Sequence, residues 1–98
     1  MATPGNKGMM VADARRLSVV IVSYECRELL SECLRSLRDA LSASDEIIVV
    51  DNASSDGTGL MLRESFPDVR AAINGSNLGF ATAVNIGVRE ARSRLTMI

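Results

Sequence analysis

Three polar clusters hold the residues of this chain that can do chemistry: Ser23-Tyr24-Glu25, Asp51-Asn52-Ala53-Ser54-Ser55-Asp56-Gly57-Thr58, and Asn74 to Gly79. A carboxylate such as Asp51 can accept a hydrogen bond from a nucleobase N–H. A tyrosine such as Tyr24 can stack on the base, and glycine-containing turns ahead of helices offer backbone N–H groups to phosphates. The chain has no histidine, which excludes Ser-His-Asp catalysis and histidine-based metal chemistry within it. Asn52-x-Ser54-x-Asp56-Gly57 resembles the start of a calcium loop, but its twelfth position is Arg63 rather than a bidentate Glu, and a strand precedes it. Gly75 to Gly79 lacks the glycine spacing of a dinucleotide fingerprint.

The elements that must position these clusters alternate along the chain. Leu17-Ser18-Val19-Val20-Ile21-Val22 is β-branched and apolar on both faces, the pattern of a buried parallel strand. Glu25 to Leu41 has helical spacing, with Leu30, Cys33, Leu34, Leu37 and Leu41 on one stripe and Cys33 expected in the core. Glu46 to Val50 forms a second strand ending at Asp51. A helix is expected from Thr58 to Ser65, capped by Ser55 or Asp56 and ended by Pro67. Val69 to Ile73 reads as a weaker third strand. A third helix is expected from Gly79 to Ser93, its stripe Phe80, Val84, Val88, Ala91 and Leu95, with Met61 and Phe80 expected as core residues. Leu95 to Ile98 begins a fourth strand. The order β-α-β-α-β-α-β predicts an α/β fold with a parallel sheet and helices on its faces. Such sheets bind ligands at the carboxyl ends of their strands, where all three polar clusters fall.

Composition narrows the function classes. Eleven basic and twelve acidic residues give a net charge of −1, which argues against nucleic acid as a partner. Arg89, Arg92 and Arg94 read as a solvated helix face. Cys26 and Cys33 stand seven positions apart in a helix. Such a stretch rises about 10 Å, too far for a disulfide, so both are expected reduced in a cytoplasmic protein. No apolar run reaches the ~20 residues of a transmembrane segment. Residues 1–16, with Pro4, Gly5, Asn6 and Gly8, read as a flexible tail without a signal peptide.

Three runs carry a family resemblance: Val19-Val20-Ile21-Val22-Ser23-Tyr24; Ile48-Val49-Val50-Asp51 continuing to Thr58; and Asn77-Leu78-Gly79-Phe80-Ala81 with Asn85 and Gly87. In order and spacing they resemble the first three motifs of family 2 glycosyltransferases, the last run being nearest to bacterial rhamnosyltransferase-like members. The resemblance covers residues 17–98 and implies a Rossmann-like GT-A nucleotide-binding half. It implies Tyr24 against the nucleobase, backbone around Val22 and Ser23 at the base edge, and Asp51 accepting from uracil or thymine of a UDP- or dTDP-sugar. Asn52 joins the nucleotide-binding set, and Asn77 and Gly79 would line the pocket near ribose and diphosphate.

Two departures stand out. Glu25 occupies a position usually held by Asn and brings negative charge near a diphosphate. The family's Asp-x-Asp motif, which binds Mg2+ or Mn2+, and its later catalytic base are not among these residues. The expectation is therefore a donor-nucleotide-binding portion, inactive alone and binding no metal by itself, truncated in the fourth strand. A non-catalytic nucleotide-binding or self-associating α/β module, with a homodimer formed through an exposed sheet, is the alternative. A phosphorylation receiver is disfavoured, because only Glu25 follows the first strand as an acid and the sole lysine is Lys7.

Overall fold

The computed structural model describes residues 17–92 and 95–97. The expected tail over 1–16, Arg94 and Ile98 lie outside the described residues. The third helix, expected to run to Ser93, ends at Glu90, because Ala91 turns to extended backbone (φ −68°, ψ 138°), and Arg92 therefore lies beyond the helix face it was expected on. Four strands, β1 (Leu17–Ser23), β2 (Glu46–Asp51), β3 (Arg70–Ile73) and β4 (Leu95–Met97), alternate with α1 (Arg27–Ala40), α2 (Thr58–Ser65) and α3 (Phe80–Glu90). They pair in parallel in the order β3-β2-β1-β4. The chain thus steps outward from β1 to β3, then crosses back to lay β4 on the other side of β1. This is the reversal that opens a ligand crevice at the strands' carboxyl ends in doubly wound sheets.

Strand alternation sorts the core into two layers. Ile21, Ile47 and Val49 meet Leu30 and Leu34 of α1, Leu62 of α2, and Phe66. Val20, Val22, Ile48 and Val50 point to the other face and meet Ala83 and Ile86 of α3. Adjacent positions on β1 and β2 therefore serve opposite helix layers, which is why both strands read as continuous apolar runs.

The structure corrects the helical stripes at three points. Helix α1 starts at Arg27 rather than Glu25, because Glu25 adopts a left-handed φ of 52° that no helix accommodates. Cys33 is exposed rather than in the core; Leu30 and Leu34 hold the centre of the buried face and leave Cys33 at its margin. Helix α3 turns a different side inward: Phe80 is 67% exposed and Val88 42%, while Ala83 and Gly87 are buried. Only small residues fit here, since a Cβ on Gly87 would lie 2.2 Å from Val20 Cγ1. Met61 does pack against the α1/α2-side core.

Candidate nucleotide site at the carboxyl rim of the sheet

Parallel register sets Ser23, Asp51 and Ile73 abreast at the ends of β1, β2 and β3. Asp51 is 1% exposed, and a buried carboxylate persists only when donors surround it. The hydroxyls of Ser23 and Ser54 donate to its Oδ1, each at 2.7 Å, and the Ser54 N–H donates to Oδ2 at 2.8 Å. A carboxylate offers about four lone-pair directions, so these three bonds leave Oδ2 with acceptor capacity.

Asn52, also buried, ties the β2 end to the loop before α3. Its amide donates to the Gly79 carbonyl at 3.2 Å. Its Oδ1 accepts from the Asn74 side-chain amide at 2.8 Å and from the Leu78 N–H at 3.3 Å. The backbone reinforces this tie: Asn52 N–H donates to the Ser23 carbonyl and Asn74 N–H to the Asp51 carbonyl. Asn77 Oδ1 accepts from the Gly79 N–H at 2.8 Å. Gly79 then enters α3 with φ 85°, a conformation that suits a residue without a Cβ.

The loops after β1 and β2 are bonded to each other. Glu25 N–H donates to Ser54 Oγ at 2.8 Å, while Glu25 Oε2 accepts from the Ser55 N–H at 2.6 Å and the Ser55 hydroxyl at 3.0 Å. The Asp56 carboxylate spans two helix starts, accepting from the N–H of Arg27 at 3.0 Å and of Thr58 at 3.2 Å, and from the Thr58 hydroxyl. The Thr58 hydroxyl, aided by those backbone N–H groups and opposed by desolvation, holds Asp56 below the usual carboxylate range. The cap expected at Ser55 or Asp56 is not formed as such: Gly57 holds the N-cap of α2 and Cys26 that of α1, and Asp56 instead accepts the first N–H of each helix from outside the cap position.

The residues expected at the site are brought to one rim, with differing roles in its framework. Tyr24 is 53% exposed, and Leu78 and Phe80 are exposed too, leaving apolar surface open to solvent at the same end of the sheet as the polar network. Val22 lies one residue inside the rim, paired with Val50 and packed toward α3. Ser54 and Ser55 fall in the second polar cluster as expected, but their roles differ from the sequence reading: Ser54 donates to Asp51, and Ser55, a candidate cap, donates to Glu25.

Among the described residues no group of three His, Cys, Asp or Glu side chains can hold a metal ion. Glu25, Asp51 and Asp56 are all turned onto protein donors, so they do not fit a Mg2+ or Mn2+ site. A groove of about 630 Å³ lies at the opposite end of the strands, near Arg38, Glu46 and Arg70. Among its charges, Arg70 pairs with Glu46 and Glu90, and Arg38 with Asp68. No helix among the described residues is long and apolar enough to cross a membrane.

Comparison with known proteins agrees with this geometry. The family described as Glycosyl transferase family 2 matches residues 18–98. N-acetylglucosaminyl-diphospho-decaprenol L-rhamnosyltransferases from two strains of Mycobacterium tuberculosis are 39% identical over 69 residues, covering 70% of this chain and 22% of theirs. A mannosyltransferase from Pyrobaculum calidifontis, solved in complex with GDP-Man and Mn2+, aligns with a TM-score of 0.65 at 31% identity. That alignment covers 78% of this chain and 24% of the mannosyltransferase, so the chain spans about a quarter of such proteins or less.

Proposed function

The chain belongs to glycosyl transferase family 2, and from that premise we propose that its carboxyl rim binds the nucleotide of a sugar-nucleotide donor. The observation that carries this reading is the buried Asp51, bonded on one side to Ser23 and on the other to the Ser54 loop, beside the exposed ring of Tyr24. Tyr24 stacks on the base. The remaining acceptor capacity of Asp51 takes the imide N–H of uracil or thymine, with backbone at Val22 and Ser23 along the base edge. Asn52 holds the loop carrying Asn77 and Gly79 toward ribose and diphosphate. These residues bind and orient a UDP- or dTDP-sugar.

Glycosyl transfer also requires the leaving diphosphate to be neutralised and the acceptor deprotonated. Glu25 and Asp56 hold loops and Asp51 faces the base, so in this reading the rim binds and orients the donor and supplies neither of those two functions. The free thiols of Cys26 and Cys33 suit a cytoplasmic setting.

Calorimetric titration of UDP, dTDP and GDP tests the reading; GDP is included because the mannosyltransferase was solved with GDP-Man. UDP or dTDP should bind, with Tyr24→Ala weakening affinity about tenfold through lost stacking. Asp51→Ala should weaken it by at least about tenfold, with circular dichroism checking that the fold survives. Equal affinity in wild type and both variants would count against the assigned contacts.

One observation favours a second reading, self-association. Strand β3 is an edge of the described sheet, and Leu60 and Ile73 are about half exposed beside a groove between α2 and that edge. Unpaired edges with apolar neighbours promote pairing between chains. Light scattering at high concentration should then report a dimer; a monomer throughout would dismiss it.

A further inference from the structure

Glu25 is the one residue of the rim whose backbone and side chain are both held in an unusual way. Its φ of 52° lies in a left-handed region that Gly and Asn enter readily and Glu does not. The conformation persists because the turned-back residue makes three bonds to the loop after β2: its N–H to Ser54 Oγ, and its Oε2 from the Ser55 N–H and hydroxyl. The 2.6 Å separation from the Ser55 nitrogen is that of a charge-assisted bond. Ser54 in turn donates from its N–H and hydroxyl to Asp51. On the other side of Tyr24, the Ser23 hydroxyl donates to Asp51 as well. Both chain neighbours of the exposed Tyr24 are therefore fastened to the β2 end, one directly and one through Ser54 and Ser55.

We propose that Glu25 is a positioning residue for the nucleotide pocket, its carboxylate clasping the loop after β1 to the loop after β2 so that Tyr24 and Asp51 keep a fixed spacing. The inference rests on the nucleotide reading above. It changes the meaning of the family departure at this position: the negative charge is spent on Ser55 instead of facing a diphosphate. A clasp that orders both loops before the ligand arrives lowers the ordering cost of binding, and it acts on the base end of the ligand.

Two variants and two pairs of probes separate a clasp from a repelling charge. Glu25→Gly keeps the left-handed backbone accessible and removes the carboxylate; Glu25→Gln keeps the length and removes the charge. Uridine and UDP, with thymidine and dTDP as the parallel pair, are titrated by NMR against each 98-residue chain. Glu25→Gly should weaken nucleoside and nucleoside diphosphate by the same factor, about 3- to 10-fold, with Glu25→Gln intermediate. Tighter diphosphate binding in either variant with nucleoside affinity unchanged would overturn the proposal in favour of charge repulsion. Unchanged affinity for both probes in Glu25→Gly would overturn it as well.

Amide exchange at Ser55 gives a readout independent of ligand. It should accelerate in Glu25→Gly, and an unchanged rate would refute the clasp. If wild type binds none of the four probes, the nucleotide reading fails, and the Ser55 exchange rate alone decides the clasp.

Discussion

Replacing Gly87 by Ala probes the close approach that sets α3, and with it the Asn77–Gly79 loop, over the sheet. The added Cβ would fall 2.2 Å from Val20 Cγ1, 3.3 Å from Val50 Cγ2 and 3.4 Å from Val20 Cβ, where ordinary contact begins near 3.4 Å. The nearest contact is therefore short by more than about 1 Å, well beyond what small adjustments in a close-packed interior absorb. Val20 cannot yield easily: it is 1% exposed, on a strand paired with both β2 and β4. Helix α3 must lift instead, loosening Ala83 and Ile86 from Val20, Ile48 and Val50.

Overpacking of this kind costs about 1–3 kcal/mol, and Ala recovers up to about 1 kcal/mol of helix propensity over Gly. A 2.2 Å approach puts the cost at the upper end of that range, so the net expectation is a loss of about 2 kcal/mol, or a fall in Tm of about 8–16 °C for a chain of this size. Thermal unfolding followed by circular dichroism reads it directly. Gly75→Ala serves as the control, since nothing lies within 4 Å of its added Cβ, and its Tm should stay within about 3 °C of wild type. If Gly87→Ala matches or exceeds wild-type stability, helix propensity has won and α3 does not approach β1 as described.

Asp51→Leu removes both acceptor oxygens and strands the Ser23 and Ser54 hydroxyls and the Ser54 N–H, so urea unfolding should show a loss of about 2–4 kcal/mol. Asn52→Asp sets a carboxylate oxygen against the Gly79 carbonyl in place of a donor. It should open the loop before α3 by about 1–3 kcal/mol, seen as faster amide exchange at Leu78. Asp56 titrates lower in the fold than in the unfolded chain. Its contribution is therefore complete above the unfolded carboxylate range and fades as pH falls through the folded value. Wild type should thus lose stability on acidification more steeply than Asp56→Asn, and parallel acid slopes would show that Asp56 does not act as described.

Much of this arrangement was legible in the sequence, for identifiable reasons. Strands β1 and β2 announce themselves because both faces of a central parallel strand are covered, leaving no polar alternation to confuse with helix. Helix α2 has clear ends, with Asp56 and Gly57 before Thr58 and Pro67 just after it. Helix α3 misled because Phe80, Val84 and Val88 form a persuasive stripe, yet the sheet admits only the side carrying Ala83 and Gly87. The small-residue pair four positions apart was the available signal. The bonds between Glu25 and Ser55, 30 residues apart, had no local signature. They arise only once the parallel register sets β1 beside β2, and so does the left-handed turn that delays α1 to Arg27.

Nitrogen-15 NMR of the 98-residue chain during titration with UDP and with dTDP most directly tests nucleotide binding at the carboxyl rim. Shift changes should concentrate at Ser23–Glu25, Asp51–Ser55 and Asn77–Gly79, while the groove around Glu46 and Arg70 stays silent. Changes centred on that opposite groove, or none at millimolar ligand, would contradict the assignment.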